Sequence, residues 1–236
     1  MKKEITLSKM KNQVLVSCQA YEPNPHATIP DMVKMADAAI MGGAIGFRAN
    51  HPDYVKAIRE FAGEDYVIIG IWKIMEEGND VYITTTMDAV DQLVAAGSDV
   101  IALDCTDRVN AYGYKGVSLV PQIKEKYPDI VIMADCSTVE EAAIAKEAGV
   151  DIVASTMSGY TPYTAPKLEG DVDVELLEGM HALGDVFVLA EGRIWTKEDA
   201  VAAFKAGADC LVIGTSITNP WKITERFVKA KDQLFK

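Results

Sequence analysis

Histidine is scarce in this chain of 236 residues: there are three, His26, His51 and His181, and none ends an apolar run. A transition-metal site usually recruits imidazole, so the shortage argues against a metal centre. Cysteine is almost as rare. Cys18, Cys105, Cys136 and Cys210 lie in or just after apolar runs without Cys-x-x-Cys spacing, which speaks against a disulfide framework or a zinc site and predicts reduced, buried thiols. Positive charge is also short, with 23 Lys and Arg against 35 Asp and Glu and a formal net charge of -12. That balance opposes non-specific binding to nucleic acid or to an anionic membrane, so neither is expected as a partner. An anionic ligand would need a local basic exception. No apolar run approaches the roughly 18 residues of a membrane span, and MKKEITLSKMKNQ carries no apolar core of signal-peptide length. A soluble, cytoplasmic protein is the expectation. The fingerprint GxGxxG is missing after the first apolar run, and low-complexity linkers are absent.

What is present is a regular alternation. Eight strand candidates appear: NQVLVSC from 12, AIGFR from 44, VIIGIW from 67, VIALD from 100, IVIMAD from 130, DIVAS from 151, VFVLA from 186 and CLVIG from 210. Near-continuous apolar runs are the mark of parallel strands buried on both faces. Helical patterns separate them, and Thr85–Asp88, Ser137–Glu140 and Thr196–Asp199 have the spacing of helix caps. A signature recurs in AGSDVIALD, AGVDIVAST and AGADCLVIG, with a weaker echo in GGAIGFRAN: a helix stopped by glycine, a polar residue, then a strand. Strict βα alternation admits a closed barrel or an open doubly wound sheet. Eight units in 236 residues favour closure, because a (β/α)8 barrel typically takes about 250. The prediction is an α/β chain folded as one TIM-barrel domain spanning residues 1–236.

Five of the runs end in a charge: Arg48, Lys73, Asp104, Asp135 and Glu191. A charge at the edge of a buried strand loses hydration, so a fold keeps it only when paired or used. In a barrel of parallel strands all five would meet at one mouth. Lys73, desolvated or beside Arg48, would have a lowered pKa and could act as a base; the alternative is a lysine that reaches solvent and forms an ion pair. Glu191 could be an acid, a base or an orienting group, or could simply pair with Arg193. Asp104 and Asp135 could bind a cation, share a proton or hold sugar hydroxyls. Gly214 and Thr215 after the last strand, and Gly192 with Arg193 after the seventh, stand where barrels often hold phosphate. The long connection TMSGYTPYTAPKLEGD brings Tyr160 and Tyr163 either to cover a ligand or to pack on the rim. His51 and His181 read as exposed helical residues, and His26 as a solvated loop residue.

Ordered segments along almost the whole chain resemble one known family. They are VSCQA, GAIGFRAN, IIGIWK, YITTT, VIALDCT, IMADCSTVEEA, SGYTPYT, LAEGRIWT and VIGTSIT, and the resemblance is to the N-acetylmannosamine-6-phosphate 2-epimerases of bacterial sialic-acid catabolism. It implies a TIM barrel, usually a homodimer, that interconverts N-acetylmannosamine 6-phosphate and N-acetylglucosamine 6-phosphate without cofactor or metal. It further implies Lys73 as catalytic lysine, Glu191 as its partner, and Gln19, Arg48 and Asp135 as substrate-positioning residues. Gly192, Arg193, Gly214 and Thr215 match the phosphate positions. Two departures stand out. Ile74 and Met75 follow Lys73 where the family commonly has Arg-Asp, and Asn219 stands where it commonly has arginine. Each removes a cation expected near the mouth. A Schiff-base lyase using Lys73 is the competing enzyme class, and an RNA-binding ligand sensor on a barrel scaffold is the non-enzymatic one.

Overall fold

The computed structural model describes residues 2–235, so Met1 and Lys236 of the expected domain lie outside the described residues. Eight parallel strands close in sequence order into a barrel: β1 (Gln13–Cys18), β2 (Gly46–Asn50), β3 (Val67–Ile71), β4 (Val100–Asp104), β5 (Val131–Asp135), β6 (Ile152–Ala154), β7 (Phe187–Glu191) and β8 (Cys210–Ile213). Each overlaps its predicted run. The helices are α1 (Lys2–Met10), α2 (Ile29–Met41), α3 (Pro52–Ala62), α4 (Met87–Ala95), α5 (Val120–Lys126), α6 (Val139–Ala148), α7 (Val174–Ala182), α8 (Lys197–Lys205), α9 (Thr215–Thr218) and α10 (Pro220–Leu234).

Strand periodicity sorts the side chains into two cores. One set, including Phe47, Ile68, Ile101, Leu103, Ile132, Val153, Val188 and Leu211, packs outward among the helices. The alternate set, including Leu15, Ile69, Ile71, Val100, Met133, Ile152, Leu189 and Val212, fills the barrel, with Met10 of α1 in the same cluster. Continued toward the C-terminal ends, the inward register turns polar at Ser17, Arg48, Lys73, Asp104, Asp135 and Glu191. The apolar filling below them keeps water out, so this charged layer is desolvated on one side.

The recurrent AG-x-D signature is structural. Gly97, Gly149 and Gly207 end their helices with positive φ of 100°, 92° and 98°, and the aspartate two residues later ties the next strand to the previous one. Asp99 accepts from Ile68 N at 3.0 Å, Asp151 from Ile132 N at 2.8 Å and Asp209 from Val188 N at 3.0 Å. Arg59, Lys3 and Lys11 pair with the three carboxylates. In the GGAIGFRAN echo Ile45 takes the aspartate's place, and the tie to the first strand is the backbone bond from Ile45 N to Val14 O.

Several expectations need correction. The caps of α4 and α6 are Thr86 and Thr138, each one residue later than predicted; in α6 Glu141 completes the capping box, while Thr196 and Asp199 cap α8 as expected. His51 is the N-cap of α3, its ring edge-on to Trp72 at 5.1 Å, instead of an exposed helical residue. Arg48 does not end its strand: β2 runs on to Asn50, which puts the guanidinium inside the barrel. The four cysteines are buried and unpaired, and burial pushes the Cys18 and Cys210 thiols up to about 12. Among the described residues no helix is long and apolar enough to cross a membrane.

Candidate active site

Lys73 stands just beyond β3, held by its main chain. Its N–H donates to Asn50 Oδ1 at 2.9 Å, it bridges Ile83 in antiparallel fashion, and flanking bonds join Ile74 N to Tyr82 O and Thr84 N to Trp72 O. The chain therefore doubles back before α4 begins, and this clamp fixes where the lysine can reach. Its ammonium has no hydrogen bond or ion pair among the described residues. It rests over the Tyr21 ring, 5.0 Å from the centroid.

The other charges form a network. Arg48 is 1 % exposed and grips Asp135 with both terminal nitrogens, at 2.9 and 2.6 Å, while donating to Glu191 at 2.5 Å and Thr156 Oγ1 at 3.3 Å. Burial works against the Arg48 charge, but the two carboxylates outweigh it and hold the guanidinium firmly protonated. Glu191 therefore pairs with Arg48, not Arg193. Burial, reinforced by Asp135, raises the Glu191 carboxyl to about 6 against the pull of Arg48. Lys73 moves the other way. Burial first and the Arg48 charge second lower its amine from 10.5 to about 8, partly opposed by Glu191 and Asp135.

These groups open into a cavity of about 790 Å³ at the C-terminal ends of the strands, lined by Gln19, Arg48, Lys73, Tyr160, Glu191, Gly192, Arg193, Gly214 and Thr215 among others. A volume of that order is ordinary for a small-molecule site. Asp135, completely buried, lies beneath Arg48 and does not line it. Asp104 is drawn aside: it accepts from Thr106 Oγ1 at 2.6 Å and Arg108 at 2.8 Å, and so anchors the loop after β4. The five charges thus lie in one layer, but three face the cavity. Gln19 donates to Ser17 Oγ at 2.7 Å. Tyr160 stands half exposed at the rim, whereas Tyr163 bonds Glu141 and packs away from the cavity.

At the wall after β7 and β8, the amides of Gly192, Arg193, Gly214 and Thr215 donate to no protein group among the described residues. Gly192 has φ of 102°, a conformation that favours glycine, and a Cβ at Gly214 would stand 3.1 Å from Ser17 Cβ. The Arg193 side chain, which also lines the cavity, is bonded within the protein. Its Nε donates to Asp171 O at 2.9 Å and its terminal nitrogens to Ser158 O and Oγ, so the guanidinium ties down the loop after β6. Among the described residues no group of three His, Cys, Asp or Glu side chains is placed to hold a metal ion.

Sequence reasoning missed Tyr21, Tyr82 and Thr156. Tyr21 and Thr156 lie within three residues of the ends of β1 and β6, which is the signal that could have found them; Tyr82 arrives through the fold-back after β3, which carries no periodicity.

A family model described as "Putative N-acetylmannosamine-6-phosphate epimerase" matches residues 32–233. A protein of Caldanaerobacter subterraneus subsp. tengcongensis named "Putative N-acetylmannosamine-6-phosphate 2-epimerase" is 44% identical over 222 residues, covering 94% of this chain and 92% of its own. One of the same name from Shouchella clausii is 42% identical over 224 residues, covering 95% and 97%. The solved structure of the N-acetylmannosamine-6-phosphate 2-epimerase from Clostridium perfringens superimposes with a TM-score of 0.88 at 39% identity, covering 95% of each chain. A thiamine phosphate pyrophosphorylase from Pyrococcus furiosus, at 18% identity and a TM-score of 0.62, shares the fold alone. The chain belongs to the N-acetylmannosamine-6-phosphate 2-epimerase family and is an isomerase of the carbohydrate 2-epimerase type.

Proposed function

We propose that the chain interconverts N-acetylmannosamine 6-phosphate and N-acetylglucosamine 6-phosphate by removing the proton at C2 and returning it to the opposite face. The observation that carries this reading is the Lys73 amine, without an ion pair and lowered to about 8, opening into one cavity with Glu191. With the sugar open as its aldehyde, the C2 proton lies next to a carbonyl, and neutral Lys73 takes it. The charge developing on the enolate is met by hydrogen-bond donors of the cavity in the field of Arg48. Glu191, raised to about 6, exchanges a proton with a sugar oxygen or returns one to C2. Asp135 acts through Arg48, and Gln19 and Tyr160 position the sugar. The free amides of Gly192, Arg193, Gly214 and Thr215 support phosphate at the opposite wall.

Lowering a lysine from 10.5 to about 8 raises its neutral fraction at pH 7 roughly three-hundredfold. The test is exchange of the C2 proton in heavy water, followed by NMR. Lys73→Ala should slow it by about a hundredfold or more; undiminished exchange in the folded variant overturns the assignment. The same lowered amine would suit an imine. Borohydride separates the two, since a permanent adduct with the sugar phosphate marks Schiff-base chemistry and its absence fits proton transfer.

The working assembly in this reading is a homodimer. α10 has no buried residue and exposes Phe227, Val228 and Leu234, an apolar face that a second copy would cover. The buried, unpaired cysteines suit the reducing cytoplasm.

A further inference from the structure

We infer that Lys222 is the cation that receives the phosphate group, a role that rests on the proposed phosphate-sugar substrate and refines it. Four cationic side chains line the cavity among the described residues: Arg48, Lys73, Arg193 and Lys222. Three are committed elsewhere. Arg48 is locked between Asp135 and Glu191, Lys73 is the base at the clamp after β3, and Arg193 is bonded at every nitrogen to the loop after β6. Lys222 is the remaining one, and its side chain is engaged only within its own helix. It is 42% exposed and held by a single ion pair to Glu225 at 2.8 Å, with its ammonium 4.5 Å from the centroid of the Trp221 ring.

Its place in the chain fits the task. α9 begins at Thr215, one of the four residues with free amides, and α10 follows directly. Asn219 caps α10 by accepting from the Lys222 N–H at 3.2 Å, so the position where arginine is common in the resembling sequences here serves the helix. Lys222 restores a cation one turn further on, on the same helix face. A lysine in a first helical turn is electrostatically unfavourable, because the helix dipole already presents positive charge there. Glu225 offsets this in the empty site, and an incoming phosphate would take over the ammonium from it. The cation lost at Ile74 needs no replacement: neither Ile74 nor Met75 lines the cavity, and Met75 is 65% exposed.

The experiment compares wild type, Lys222→Ala and Lys222→Arg on N-acetylmannosamine 6-phosphate and on unphosphorylated N-acetylmannosamine, with inorganic phosphate as a competitive probe. Loss of one charge-assisted contact should raise KM for the phosphorylated sugar, and Ki for phosphate, by about tenfold in Lys222→Ala. The kcat should change by less than about threefold, since the contact is the same in ground and transition states, and Lys222→Arg should keep most of the affinity. The inference is overturned if Lys222→Ala leaves KM for the phosphorylated sugar unaltered, or if KM rises equally for both sugars. It is also overturned if Lys222→Arg is as impaired as Lys222→Ala. Wild-type protein that turns over only the unphosphorylated sugar would overturn the proposed substrate as well, and so tells the two failures apart.

Discussion

Lys73 and Glu191 are displaced in opposite directions by one environment. Burial disfavours both charges, so the amine falls to about 8 and the carboxyl rises to about 6. At neutral pH each then lies within reach of both protonation states, as proton transfer requires. If neutral Lys73 is the base, kcat/KM should climb with pH along a limb of apparent pKa about 8, because protonation below that value removes the base. Glu191 is negative above about 6 and holds the Lys73 proton in place. In Glu191→Gln that support is gone, so the rising limb should move to lower pH while kcat falls by about a hundredfold. A pH–rate profile of wild type and Glu191→Gln checks both statements; a limb that moves upward contradicts the field assigned to Glu191.

The three AG-x-D turns, read from the sequence as helix-to-strand turns, are architectural. Each aspartate sits at the base of the barrel, bonded to the backbone N–H of the preceding strand and paired with a cation. Asp209→Ala would leave the Val188 N–H and the Lys11 ammonium without their partner. A loss of about 1–3 kcal/mol in unfolding free energy is expected, measured by urea titration, with KM unaltered because the site lies at the other end of the strands. Glu141 does similar work at the mouth. Beyond its capping box it accepts from Ser137 N at 2.6 Å and Asp107 N at 2.8 Å and meets the Tyr163 hydroxyl. One buried carboxylate thereby links the loops after β4, β5 and β6.

For the whole molecule the least settled packing is at the C-terminal helix. α10 contributes wall residues to the cavity at Trp221 and Lys222, yet along its length no residue is fully buried. Such a helix of 15 residues is marginal by itself, so covering its apolar face in a second copy would also firm the site. Phe227 is 74% exposed. Phe227→Glu should weaken self-association, seen as a shift to monomer in sedimentation at micromolar concentration. KM for the phosphorylated sugar should rise with it, because the wall bearing Lys222 loosens. A wild-type chain that sediments as a monomer at all concentrations removes the dimer from the proposal.

The strand count, the parallel order and the charged strand ends were legible in the sequence because burial on both faces writes uninterrupted apolar runs, and a charge that interrupts such a run must be accommodated at its edge. Glycine followed by aspartate likewise announced the helix-to-strand turns. What the one-dimensional pattern could not contain is which charges find each other. Arg48 and Glu191 are 143 residues apart in sequence and 2.5 Å apart in space, and only closure of the barrel makes them partners. The same closure took the Arg193 guanidinium for the loop after β6 and left Lys73 unpaired, while Asp104 found its partner four residues on, in Arg108. Ion pairing and desolvation act over a few ångströms between residues far apart in the chain, so the sequence determined the frame and the kinds of groups at its mouth, and the tertiary structure decided which of them stayed free for chemistry.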